Sequence, residues 1–166
     1  MSIHDPQTAG PGESAGSGPV PIFVLLSLSF AMLVGLASMG LAGEATVLPI
    51  AGFACGAGIV GLALLRRWQA ARFGPANTLT LGRMALASLF LVPVARPEVM
   101  TPGTAWLFFA LALLALSLDG LDGWLARRSG LAGPWGARFD MEVDAAFALL
   151  LAAVAWRTET AGAWVL

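Results

Sequence analysis

The chain reads as an all-α protein, a multi-pass transmembrane helix bundle of about five spans, and three observations predict this. It is 58% hydrophobic and 11% charged, with a mean hydropathy of +0.81, outside the range of an ordinary soluble domain. Its apolar residues fall into runs near the ~20 residues that a bilayer crossing requires. All nine basic residues are Arg, clustered between those runs. A net charge of −1 gives no reason to expect a nucleic acid or a strongly acidic partner.

Residues 1–20 are rich in Gly, Ser and Pro and lack a run of large apolar side chains. They predict a disordered tail, with His4, the only histidine, lacking a catalytic neighbour. No positive charge precedes the first apolar run, so no cleaved signal peptide is expected. The spans are expected at Ile22–Ala42, Val47–Leu65, Leu79–Ala95, Thr104–Leu118 (extending to about Leu121) and Gly136–Trp156. In the second, Gly52, Gly56, Gly58 and Gly61 suit close helix packing in lipid better than a ligand loop. Cys55 lies in the same run, without an intrachain disulfide partner, and is expected to be a small packing residue.

Between spans two and three, Arg66, Arg67 and Arg72 alternate with Trp68 and Phe73. Leu65–Ala76 therefore suits a short helix at headgroup level. Arg66 to Arg83 holds four arginines and Arg127 to Arg138 three, while the first loop and the tail have none. The positive-inside rule places both Arg-rich segments, and with them the N-terminus, in the cytoplasm. Asn77, Thr80 and Arg83 advance by three along one face at the start of span three, with Asn77 placed to cap it after Pro75.

Asp119 to Asp144 holds five of the ten acidic residues. Asp119 and Asp122 are three apart, Asp140 and Asp144 four apart, so each pair shares a helix face. Gly130, Gly133, Pro134 and Gly136 break the helix between them, which predicts two antiparallel helices presenting the pairs to each other. Carboxylates at the mouth of an apolar span need compensating cations. With no Cys or His nearby, hard oxygen donors favour Mg²⁺, Mn²⁺ or Ca²⁺; charges merely flanking two membrane helices are the alternative. Glu142 falls on a different face from Asp140 and is left out of the set.

Asp119-x-x-Asp122-Gly123-x-x-Ala126-Arg127, eight residues, then Gly136-x-x-x-Asp140-x-x-x-Asp144, resembles the signature of the CDP-alcohol phosphotransferases in every fixed position and gap. The resemblance implies a membrane enzyme of phospholipid synthesis. It would transfer a phosphoalcohol (phosphatidyl) group from a CDP-alcohol, such as CDP-diacylglycerol, to an acceptor hydroxyl, releasing CMP. It further implies a two-metal centre of Mg²⁺ or Mn²⁺ on Asp119, Asp122, Asp140 and Asp144. Asp144 is the candidate general base. Gly123, Ala126 and Gly136 would leave room for the nucleotide, Arg127 would offset phosphate charge, and Asn77, Thr80 and Arg83 would border the cavity.

The family folds with six membrane helices, and the spans from Leu79 onward correspond to three of them. The expectation is a partial transferase domain at 66–166, preceded by two extra transmembrane helices at 21–65. Such a chain is expected to be inactive or very weak alone and to need a completing partner chain or a homodimer. A non-catalytic membrane subunit that keeps the metal site is the other reading.

Overall fold

The computed structural model describes residues 19–42, 47–67, 73–130 and 133–160. They form helices α1 (Pro19–Ala42), α2 (Val47–Arg67), α3 (Pro75–Leu89), α4 (Leu91–Ala95), α5 (Pro102–Ser129) and α6 (Pro134–Arg157), with a 3₁₀ turn at Pro97–Val99. No strand occurs among the described residues, so the all-helical expectation holds. Residues 1–18 of the expected tail, with His4, and Trp68 and Arg72 of the expected headgroup-level helix lie outside them, while Pro19 and Val20 open α1.

Among the described residues, four stretches are long and apolar enough to cross a membrane: Val20–Leu41, Val47–Arg66, Pro75–Ala95 and Pro102–Ser129. The fifth expected span is present as α6, but it is not apolar enough to be counted with them. Arg138, Asp140, Glu142 and Asp144 all stand in its first half. The third span, expected as one helix over Leu79–Ala95, is interrupted at Phe90. Pro93 explains the break: it has no N–H for the Leu89 carbonyl and its ring crowds that turn.

The bundle is organised on α3. About 56% of the α3–α4 span is buried, against 11% of α1 and of α5. Helix α3 packs against α1, α2, α5 and α6, while among the described residues the backbones of α5 and α6 do not pack closely on each other. The two helices that carry the aspartates are therefore held apart by α3, rather than lying side by side as a simple hairpin would. Two apolar clusters flank this centre. Phe23, Phe53, Leu64, Leu81, Phe139 and Val143 belong to one. The other is built on Phe90, edge-on to Phe108 and to Phe147 at ring separations of 5.3 Å.

Small residues let α2 approach. A Cβ on Gly52 would collide with Leu91 Cδ1, and one on Gly56 would lie 2.8 Å from Met84 Sδ. One on Gly61 would sit 3.1 Å from Phe23, whereas Gly58 faces open space. Three of the four glycines thus serve close packing. Cys55 differs from expectation: it is exposed on the outer side of α2.

Candidate metal centre

Local sequence sets the three helices that meet at the site. Pro75 begins α3, so Gly74, extended at φ −79° and ψ 166°, occupies the N-cap. Asn77, expected as the cap, instead lies inside the first turn, two residues beyond the position that Pro75 fixes. The Thr78 hydroxyl and backbone N–H close that turn onto the Gly74 carbonyl. Asn77 is buried, Thr80 donates to the Ala76 carbonyl at 3.1 Å, and Arg83 follows one turn on.

Helix α5 starts at Pro102 behind Thr101, whose side chain accepts from the Thr104 N–H. It does not end near Leu121 but continues to Ser129, where Gly130 takes the left-handed conformation at φ 66°. Its 28 residues span about 42 Å, longer than a ~30 Å hydrocarbon core. Asp119 and Asp122 therefore lie within a continuous helix, just past the end of its apolar run at Leu118. Helix α6 begins at Pro134 after Gly133, which brings Gly136, Asp140 and Asp144 into its first three turns.

All four aspartates converge on Arg83. Its Nη1 lies 2.8 Å from Asp119 Oδ1, 2.9 Å from Asp122 Oδ2 and 2.6 Å from Asp140 Oδ1. Its Nη2 donates to Asp144 Oδ1. Arg83 is 2% exposed and Asp122 3%, while the other three carboxylates are half-buried. Thr80 Oγ1 also reaches Asp122 Oδ2, at 3.5 Å. The Arg83 Nε is buried without a partner. Four carboxylates against one guanidinium leave a formal charge of 1 − 4 = −3, too much to hold together in a low-dielectric centre without further cations.

Oxygens of Asp119, Asp140 and Asp144 lie within 4.8 Å of one another. The donor set is all carboxylate and the residual charge is strongly negative, which fits a hard divalent ion. Asp122 stands outside that trio, held by Arg83 and Thr80. Beside the carboxylates is a cavity of about 220 Å³. Asn77, Thr80, Asp122, Gly123, Arg127, Gly136 and Asp140, all singled out in the sequence, line it. The side chain of Ala126 is not among those described, and Arg83 belongs to the carboxylate cluster rather than to the lining. Gly74, Ala76, Gly133 and Ala137 complete the wall and were not foreseen, although Gly74 and Gly133 each precede the proline that opens a helix.

Gly136 has a specific structural role. A Cβ there would come within 2.9 Å of Asn77 Oδ1, so a larger residue would have to displace the buried Asn77 side chain. Gly136→Ala is expected to push Asn77 into the cavity and weaken CMP binding by about fivefold, as a ~1 kcal/mol steric shift would. Titration of CMP by isothermal calorimetry measures it, and unchanged affinity would remove Gly136 from the cavity wall.

The model of the CDP-alcohol phosphatidyltransferase family matches residues 73–166, more than half of the chain. The match begins at Phe73, so α1 and α2 lie outside it. Neither a curated protein nor a solved structure matches the chain. The matched region takes in every helix that supplies a carboxylate, the arginine between them and the cavity alongside, and on that match the chain belongs to the CDP-alcohol phosphatidyltransferase family.

Proposed function

We propose that the chain, completed by a partner chain or a second copy of itself, carries out metal-dependent transfer of a phosphatidyl group from a CDP-alcohol to an acceptor hydroxyl, releasing CMP. The observation that carries this reading is the convergence of four aspartates from two separated helices, beside a cavity walled by the same motif. Asp119, Asp122, Asp140 and Asp144 would hold Mg²⁺ or Mn²⁺. Two such ions, when bound, would stabilise charge on the attacking and leaving oxygens of the phosphoryl group.

The chain's own residues do the rest. The acceptor oxygen forms a bond to the donor phosphorus distal to the cytidine, and the phosphoanhydride bond breaks, with CMP leaving. Asp144 takes the acceptor's proton. Arg127, exposed at the cavity's edge and beside Gly123, sets a positive charge against the leaving phosphate. Asn77 and Thr80 orient the nucleotide from α3, and Gly123 and Gly136 leave room for it.

A second cavity, of about 530 Å³, supports a lipid donor. It is almost wholly apolar, lies between α1, α3 and α5 over Gly82, and reaches Leu118, next to Asp119. An acyl chain there would leave the headgroup at the carboxylates, which favours CDP-diacylglycerol.

The test is CMP release from CDP-diacylglycerol by membranes containing the chain, with glycerol phosphate, serine and inositol phosphate supplied together. Release that requires Mg²⁺ or Mn²⁺ and stops with EDTA is the expected result. Mg²⁺ binding without any CMP release would instead favour the non-catalytic subunit. For orientation, a cysteine replacing Ser129 on a Cys55→Ser background is expected to react only from the cytoplasmic side. Labelling by an impermeant maleimide in intact cells would reverse the assigned topology.

A further inference from the structure

Among the described residues the backbones of α2 and α6 do not pack closely, and the slit between them is floored by Met84, Ala87 and Leu91 of α3 and α4. Two cavities occupy it. One, of about 400 Å³, lies where α2 ends and α6 begins, and is bordered by Arg66, Arg138, Trp135 and Glu142. The other, of about 250 Å³, runs deeper and is apolar apart from Ser88 and Glu142. They share Ile59, Val60, Phe139 and Glu142, so they form one continuous groove. It descends from two arginines toward Gly52.

We infer that this groove binds one anionic glycerophospholipid of the bilayer, its phosphodiester held by Arg66 and Arg138 and one acyl chain lying between α2 and α6. Charge complementarity supports this occupant. Arg138 and Glu142 are four apart on one helix, yet no ion pair joins them among the described residues. Two guanidiniums and one carboxylate leave a formal +1, which a single phosphodiester neutralises. Arginine supplies the planar fork that phosphate oxygens fit. A basic pocket between membrane helices, with Trp135 beside it at the end of the apolar span, suits a lipid headgroup.

The dimensions agree. Gly52 to Arg66 covers about 21 Å of helix, more than the ~15 Å hydrocarbon depth of one leaflet. The glycines explain how the slit stays open above a tight floor, since Gly52 and Gly56 seat α2 directly on Leu91 and Met84. The groove depends on α2, which lies outside the family match, and it passes behind Phe139 and Val143, the neighbours of Asp140 and Asp144. It is separate from the cavity proposed for the nucleotide and does not depend on that proposal.

Native mass spectrometry of the purified full chain, with equimolar dioleoyl-phosphatidylglycerol and dioleoyl-phosphatidylcholine, tests the inference. Retention of the anionic lipid is expected to exceed that of the zwitterionic one by about thirtyfold, the effect of two interfacial arginines at ~1 kcal/mol each. Arg66→Gln with Arg138→Gln should bring the two lipids to parity, and Ile59→Trp should fill the slit and reduce both. Each variant should keep the parent's Mg²⁺-induced thermal shift, which shows that the aspartate cluster is intact. Equal retention of the two lipids by the parent would overturn the inference without recourse to any variant. So would displacement of bound phosphatidylglycerol by millimolar inorganic phosphate, which would make this a site for free phosphate.

Discussion

Arg83→Met is expected to destabilise the metal-free protein by about 3 kcal/mol or more, the lower end of what breaking a buried ion pair costs. Arg83 is the only cation in contact with Asp119, Asp122, Asp140 and Asp144 among the described residues, and all four lie within ion-pair distance of it. Methionine preserves much of the volume and removes all the charge. Asp122, 3% exposed, would then retain Thr80 as its one polar side-chain contact, with three half-buried carboxylates beside it. Mg²⁺ should restore what the guanidinium supplied, by RT ln(1 + [L]/Kd) if only the folded form binds. The variant should therefore show a larger Mg²⁺-dependent rise in melting temperature than the parent, read by scanning fluorimetry in detergent. Arg83→Lys should fall between them, since an ammonium is a point charge that cannot bridge four carboxylates. A variant as stable as the parent in EDTA would mean that the carboxylates do not rely on Arg83.

Arg83 also shows where the sequence was informative and where it was not. The aspartate spacing and the chain break at Gly130–Gly136 predicted two carboxylate pairs brought to one place; the Asn77-Thr80-Arg83 spacing predicted one shared face, and only the family resemblance placed that face at the site. Spacing within a helix is local information, and local geometry fixes it. Which helix stands between which is not local. The two aspartate helices looked like a directly packed hairpin, yet α3 is inserted between them, and Gly56, Gly82 and Gly136 stand where α2, α1 and α6 close on it. The role of Arg83 as the shared partner of all four carboxylates follows from that insertion. Hydropathy ended the fourth apolar span near Leu118–Leu121, while the helix break read at Gly130 is where α5 does end. Pro93 marked the break at Phe90, and Pro75 displaced Asn77 from the cap; both were legible as proline effects and were underweighted.

Asp144→Asn is expected to lower CMP release by roughly 10²–10⁴-fold, the range for losing a positioned proton acceptor. The substitution keeps the side chain's shape and the oxygen that accepts from Arg83 Nη2, so the α3–α6 contact should survive. It removes the negative charge and the capacity to take the acceptor's proton. Because Asp144 belongs to the trio with Asp119 and Asp140, some metal affinity should go with the charge. Three carboxylates and one amide oxygen remain, however, and the Mg²⁺-dependent thermal shift should shrink without vanishing. Asp122→Asn provides the contrast: Asp122 is the most deeply buried of the four and faces both Arg83 and Thr80. If it also reaches a metal, most of the shift should disappear in that variant. The two measurements separate binding from proton transfer. CMP release by Asp144→Asn within a few-fold of the parent, in membranes where Mg²⁺ still supports turnover, would reassign the base to another group.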